Sequence, residues 1–210
     1  MTDMSVREKK KTETRQLLLV SAVRTFHEKG IHDTRVSDIV ARAGVAQGTF
    51  YNYFPSKEAL FRAMAEEYMA HYGELFQLHA GNLFEDGGVD AMITDFGGFI
   101  RQLFISCRDN IATARLVFGE GAGSSGPYQE ICDTVIRRFV ELIQGVLDKG
   151  RDRGALRVED TELAAAMIFG MFQRCMFYFL LTRKDFDVDR IEKGMMAFLF
   201  GGLGVRLDAL

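Results

Sequence analysis

With 210 residues, 48% of them hydrophobic and only two prolines, the chain is long enough for one or two domains and a substantial core, and its composition favours a compact, largely helical protein. Three widely spaced cysteines, odd in number and without a Cys-x-x-Cys pair, fit a reducing cytoplasm, and the polar start MTDMSVREKKKTETR is no export signal. The net charge of −3 disfavours nucleic-acid binding by the whole surface, but residues 1–57 carry ten Lys/Arg against six Asp/Glu and residues 58–210 sixteen against twenty-three, a basic head on an acidic body.

Residues 1–11 read as a mobile basic arm, in which Lys9, Lys10 and Lys11 are either solvated or in contact with phosphates. A first helix is expected from Thr12 or Thr14 to Lys29, closing at Gly30 and burying Leu18, Leu19, Ala22 and Phe26. Val36, Ile39, Val40 and Ala43 then repeat at helical spacing, and Gly44 supplies the left-handed residue that ends the second helix. After Val45, residues 47–54 can form about two turns before Pro55 pushes Phe54 out of the helical region. Rotation of about 100° per residue places Phe50 and Phe54 on the buried side. Gly48, Thr49, Asn52 and Tyr53 face the other way, with Gln47 and Tyr51 at the boundary. Such a short, uncharged, hydrogen-bonding edge suits a helix pressed into a DNA major groove, and Lys57 stands where it could meet a phosphate.

The run from Leu18 to Lys57, with LLVSAVRTF, EKG, VSDIVARAGVAQGTFYNYF and Ser56-Lys57-Glu58, resembles the TetR family of transcriptional repressors over about forty residues. The resemblance implies an all-α fold of about nine helices: a three-helix DNA-binding head with a helix-turn-helix over residues 1–55, then a helical ligand-binding and dimerisation domain over residues 56–210. It implies DNA contacts at Arg35, Ser37, Gln47, Gly48, Thr49, Tyr51, Asn52, Tyr53 and Lys57. One departure stands out. The family commonly has Ser or Thr where this chain has Arg35, and Arg cannot accept an amide hydrogen bond, so either Thr34 provides the cap or Arg35 is turned toward a phosphate.

Ser56 is a natural cap for a fourth helix, whose Leu60, Met64, Tyr68, Tyr72 and Leu75 form one stripe; His71 and His79 on it are too far apart to share a metal. Residues 81–90 read as a loop. A helix from Val89 to Cys107 is expected to be interrupted at Gly97-Gly98, by a bend or by close packing, since such a pair costs a helix roughly 2 kcal/mol. A short helix over 109–118 precedes GEGAGSSGP, whose G-x-G-x-x-G lacks the preceding strand and the acidic residue of a dinucleotide fold, so a connector is expected and no cofactor. A helix from Pro127 to Arg153, ended by Gly154, puts Ile131, Val135, Phe139, Leu142, Ile143, Val146 and Leu147 on its apolar side.

From Leu163 to Leu181, nineteen residues hold only Gln173 and Arg174 as strongly polar members. Arg174 and the charged flanks argue against a membrane span. In a body this small, the helix can be surrounded only if one face meets a partner subunit. The final helix, Val188 to Leu207, adds Ile191, Met195, Phe198, Leu199 and Leu203, and the family resemblance implies a homodimer through these last two helices.

The resemblance further implies an operator of double-stranded DNA, a hydrophobic small-molecule effector held in the body, and release of DNA when the cavity fills. Phe99, Leu103, Phe139, Ile143, Phe169, Gln173, Arg174 and Phe177 are the expected lining. Arg174 is read either as half of a buried ion pair or as an anion contact for an apolar acid or acyl conjugate; without that contact the ligand is a neutral or aromatic lipophile. Competing readings are a body that binds a protein partner, or an activator. No serine elbow or metal-spaced cluster supports an enzyme. Tyr51 and Lys57 are expected to support binding to every sequence, and Thr49 and Asn52 to set sequence preference.

Overall fold

A computed structural model describes residues 6–80, 88–121, 123, 125–183 and 186–202, which contain helices and no strand. The described residues are 84% helical and form nine α-helices: α1 Val6–Lys29, α2 Val36–Ala43, α3 Gln47–Tyr51, α4 Lys57–Ala80, α5 Gly88–Asp109, α6 Ile111–Arg115, α7 Pro127–Asp152, α8 Thr161–Phe177 and α9 Val188–Gly202. Two π-helical segments follow α6 and α8, at Leu116–Glu120 and Tyr178–Arg183. The chain packs as two compact units, Met1–Tyr68 with Ile111–Val135, and Met69–Asn110 with Ile136–Leu210. This division takes residues 111–135 into the first unit and does not follow the line expected at 55/56.

In the first unit, α1 buries Leu18, Leu19, Ala22 and Phe26 against the Ile39, Val40 and Ala43 face of α2. It begins at Val6, ahead of the start expected at Thr12 or Thr14, so residues 6–11 are helix and not a mobile arm. Their composition explains it, because Arg, Glu and Lys are good helix formers; Thr12 and Thr14 keep to the helix with their hydroxyls donating back to the Glu8 and Lys10 carbonyls at 3.1 and 2.8 Å. Residues 1–5 of that arm lie outside the described residues. Arg15 lies over the Phe54 ring at 5.6 Å and pairs with Glu67 of α4, which fixes α1 to the rest of the unit.

The connector around Gly121 is packed tightly. A Cβ on Gly121 would stand 2.5 Å from Cys132 Sγ and 2.6 Å from the Leu116 carbonyl, so only glycine fits. The first glycine of the G-x-G-x-x-G is thus a packing residue under the start of α7. Burial pushes the Cys132 thiol up to about 12.

In the second unit, α5 is continuous through Gly97-Gly98, contrary to the expected interruption. Gly97 alone serves close packing: a Cβ there would meet Glu192 Oε1 at 3.0 Å and Met196 Cε at 3.8 Å, both on α9. Arg101 of α5 pairs with Asp189 and Glu192 of α9. Ile191, Met195 and Leu199 of α9 are buried within the chain, which corrects their expected place at a subunit interface. Phe198 is 66% exposed, and Leu203 lies outside the described residues. The loop expected over 81–90 falls mostly outside them too, its last three residues opening α5.

Asp160 caps α8, its carboxylate accepting the Leu163 N–H at 2.9 Å. The apolar segment Thr161–Arg183 is long enough to cross a membrane by length and composition, yet only 17% of its most apolar stretch is buried inside the chain. Its open side is regular. Leu163, Met167, Gly170, Arg174 and Tyr178 follow helical spacing and are all exposed. Arg174 therefore neither lines an interior nor sits in a buried ion pair, because it lies on this exposed stripe of α8.

Candidate nucleic-acid interface

The reading edge is built on two buried phenylalanines. Phe50 is fully buried and Phe54 3% exposed, their rings 5.8 Å apart, and they seat α3 on the core of the first unit. α3 itself is one short helix, Gln47–Tyr51, continued by a turn in which the Tyr53 and Phe54 N–H groups both donate to the Phe50 carbonyl at 2.9 Å. It is shorter than the expected 47–54, because Pro55 and the turn draw the chain out of helix early. Gln47, Gly48, Tyr51 and Asn52 are exposed, Thr49 and Tyr53 half-buried on the same outward edge. Tyr51, 52% exposed, stands edge-on against Phe50 at 5.4 Å, further out than its expected boundary position.

Gly44 at φ 66° ends α2, with the Val45 N–H donating to the Val40 carbonyl at 3.1 Å. The start of α2 shows how a helix begins at Arg35. Thr34 does not cap, since its hydroxyl donates to the Gly30 carbonyl at 2.7 Å. The Asp38 carboxylate instead accepts the Arg35 N–H at 2.9 Å, the reciprocal half of a capping box, and takes Lys29 Nζ at 2.7 Å. The Lys29 hydrogen bond, then the Arg35 N–H, hold the Asp38 carboxyl below its usual range. The Arg35 side chain and Ser37 are left exposed beside α2.

Lys57 is placed differently from expectation. Its ammonium donates to the carbonyls of Ile31, His32 and Thr34 at 2.7, 3.2 and 2.7 Å, which occupies its three protons within the fold. Burial pulls its pKa down. Beside it, Tyr128 donates to Glu58 at 2.9 Å and takes the Phe61 and His32 rings edge-on, so the start of α7 is bound to the start of α4. Burial, then the Glu58 carboxylate, raise the Tyr128 pKa.

A groove of about 410 Å³ runs along the reading edge. One wall is Thr49, Asn52 and Tyr53; the other is Arg7, Lys10, Lys11 and Thr14 of α1. Arg7 is absent from the contacts expected from sequence, although its spacing to Lys10 and Lys11 is helical.

Of the expected effector residues, the second unit brings several together. Phe139 and Phe169 stack at 5.7 Å, and Tyr72 meets Phe139 edge-on at 5.7 Å. Phe99 packs on Phe76 at 4.8 Å and stacks with His79 at 6.0 Å. Leu103 is buried, while Gln173 and Phe177 are half-buried. Ile143 packs instead on a separate cluster of Leu147, Leu156 and Ala165. No group of three or more His, Cys, Asp or Glu side chains able to hold a metal occurs among the described residues.

Residues 18–64 match the family model for bacterial regulatory proteins of the tetR family, and residues 92–194 match the C-terminal domain of AefR-like transcriptional repressors. The chain belongs to the TetR family of transcriptional regulators. Within that family it is 23% identical to the fatty acid metabolism regulator protein of Bacillus subtilis over 188 residues, 89% of this chain and 93% of that one. It is 28% identical to the transcriptional regulator EthR of Mycolicibacterium smegmatis, covering 66% and 61%. Among solved structures, the fatty acid degradation regulator FadR of Bacillus halodurans superposes with a TM-score of 0.74 at 25% identity, covering 90% of this chain and 98% of that one. FadR of Bacillus subtilis in complex with stearoyl-CoA gives 0.73 at 22% identity, covering 89% and 98%.

Proposed function

We propose that this TetR-family regulator is a cytoplasmic repressor that binds a palindromic operator as a homodimer and is released by a hydrophobic small molecule. Residues 1–55 supply the DNA-binding function and residues 56–210 the regulatory one. The observation that carries the reading is the outward edge of α3, where Thr49, Asn52 and Tyr53 stand over the Phe50–Phe54 footing with Gln47, Gly48 and Tyr51 exposed beside them. Such side chains suit base edges and thymine methyls, while Arg35 and Ser37 flank them as phosphate contacts. Lys57 acts on DNA through the 31–34 turn that it holds.

The open stripe of α8 and exposed Phe198 of α9 support pairing with a second copy, since an apolar face of this kind requires cover. Arg174 would lie at that subunit surface, and its charge at mid-stripe disfavours lipid as the cover. The apolar interior of Tyr72, Phe99, Leu103, Phe139 and Phe169 supports an apolar effector, and likeness to regulators of fatty acid metabolism favours an acyl chain. Linkage requires such a ligand to weaken DNA binding by the factor that DNA weakens ligand binding.

Selection of genomic fragments bound by the purified protein tests this reading. A palindrome should be enriched, and stearoyl-CoA, but not coenzyme A, should lower affinity for it. If no sequence rises above background, specific repression is wrong.

A further inference from the structure

We infer that the groove between α1 and α3 is a clamp for the DNA sugar–phosphate backbone beside the bases that α3 reads. This rests on the proposed operator binding. Arg7, Lys10, Lys11 and Thr14 recur at i, i+3, i+4 and i+7, so they share one face of α1. That face fronts Thr49, Asn52 and Tyr53, themselves spaced i, i+3, i+4. At about 100° per residue, Glu8 and Glu13 point well to either side and Lys9 points away. The wall is cationic without a carboxylate, and Arg7, Lys10 and Lys11 form no ion pair among the described residues. Arg15, one residue past the groove, is by contrast taken by Glu67 and Phe54.

Position decides what the groove holds. A helix seated in a major groove about 12 Å wide has a phosphate strand along each flank. A cationic wall lying against the edge of that helix meets such a strand. Three cations on one face match successive phosphates, and the Tyr53 hydroxyl can donate from the opposite wall while Thr49 and Asn52 stay on the bases. The extra turns of α1 from Val6 thus serve as a rail that fixes the angle at which α3 enters DNA.

The test compares wild-type protein with the R7Q/K10Q/K11Q triple variant and with K9Q, using the enriched fragment and a scrambled duplex across a salt series. Gln keeps helix propensity close to that of Lys and Arg. The triple variant should bind both duplexes about ten- to a hundredfold more weakly, with its salt slope shallower by about 0.9 for each phosphate no longer neutralised. Its preference for the enriched fragment and the wild-type behaviour of K9Q should remain. An unchanged slope in the triple variant, or an equal change in K9Q, overturns the clamp. Loss of preference alone overturns it too, assigning the groove to base reading. If wild-type protein enriches no sequence, specific repression fails; the clamp then stands only if wild type binds duplex non-specifically with a slope that the triple variant reduces.

Discussion

Arg35 occupies a position where a helix usually begins with an acceptor side chain, and the helix begins there nonetheless. Asp38, three residues on, accepts the Arg35 N–H and pairs with Lys29. Because its folded pKa lies below its unfolded one, the Asp38 charge stabilises the head above the unfolded carboxylate range, and that contribution is lost as pH falls through the depressed folded value. Asp38→Asn should therefore lower the melting temperature at pH 7, and the difference should vanish well below pH 3.8, which thermal melts in a pH series would check. Lys57 makes a comparable point. Its spacing suggests a phosphate ligand, but backbone carbonyls 23 to 26 residues away claim its protons, and only tertiary structure reveals such partners. Lys57→Met should destabilise the head by about 2 kcal/mol, allowing for water that reaches the freed carbonyls. Denaturant melts would show this, with weaker binding to every DNA sequence.

At the scale of elements, periodicity makes α1, α2, α4 and α7 legible, because each has one buried stripe and a marked end. The Gly97-Gly98 pair misleads, since propensity alone counts both glycines against a helix while the packing treats them differently. A methyl on Gly98 would stand in open space, whereas one on Gly97 would lie against Glu192 and Met196. Gly98→Ala should stabilise the protein by about 1 kcal/mol. Gly97→Ala should gain less or nothing, because Glu192 must move and its pairing with Arg101 weakens; equal gains in chemical denaturation would contradict the close packing of α5 on α9. The apolar residues of α9 mislead for a related reason. Sequence shows that Ile191, Met195 and Leu199 avoid water but not whether α5 or another subunit covers them.

For the whole molecule, the open stripe of α8 is the feature that composition announces most clearly and explains least. Nineteen nearly apolar residues predict a surrounded helix, and the chain alone covers one side of it. Leu163→Glu with Met167→Glu places carboxylates on exposed positions of that stripe. The variant should sediment as a folded monomer and bind a palindrome at least tenfold more weakly, because two half-sites are no longer held together. A dimer of unchanged strength would place the subunit contact elsewhere. The tight seat of Cys132 beneath Gly121 has a separate consequence. A thiol pushed up to about 12 leaves a thiolate fraction on the order of 10⁻⁵ at pH 7, and the sulfur is buried besides. Alkylation at this site thus waits on local opening, so its rate is a built-in clock of how often the first unit loosens, and any bound molecule that steadies that unit will slow it.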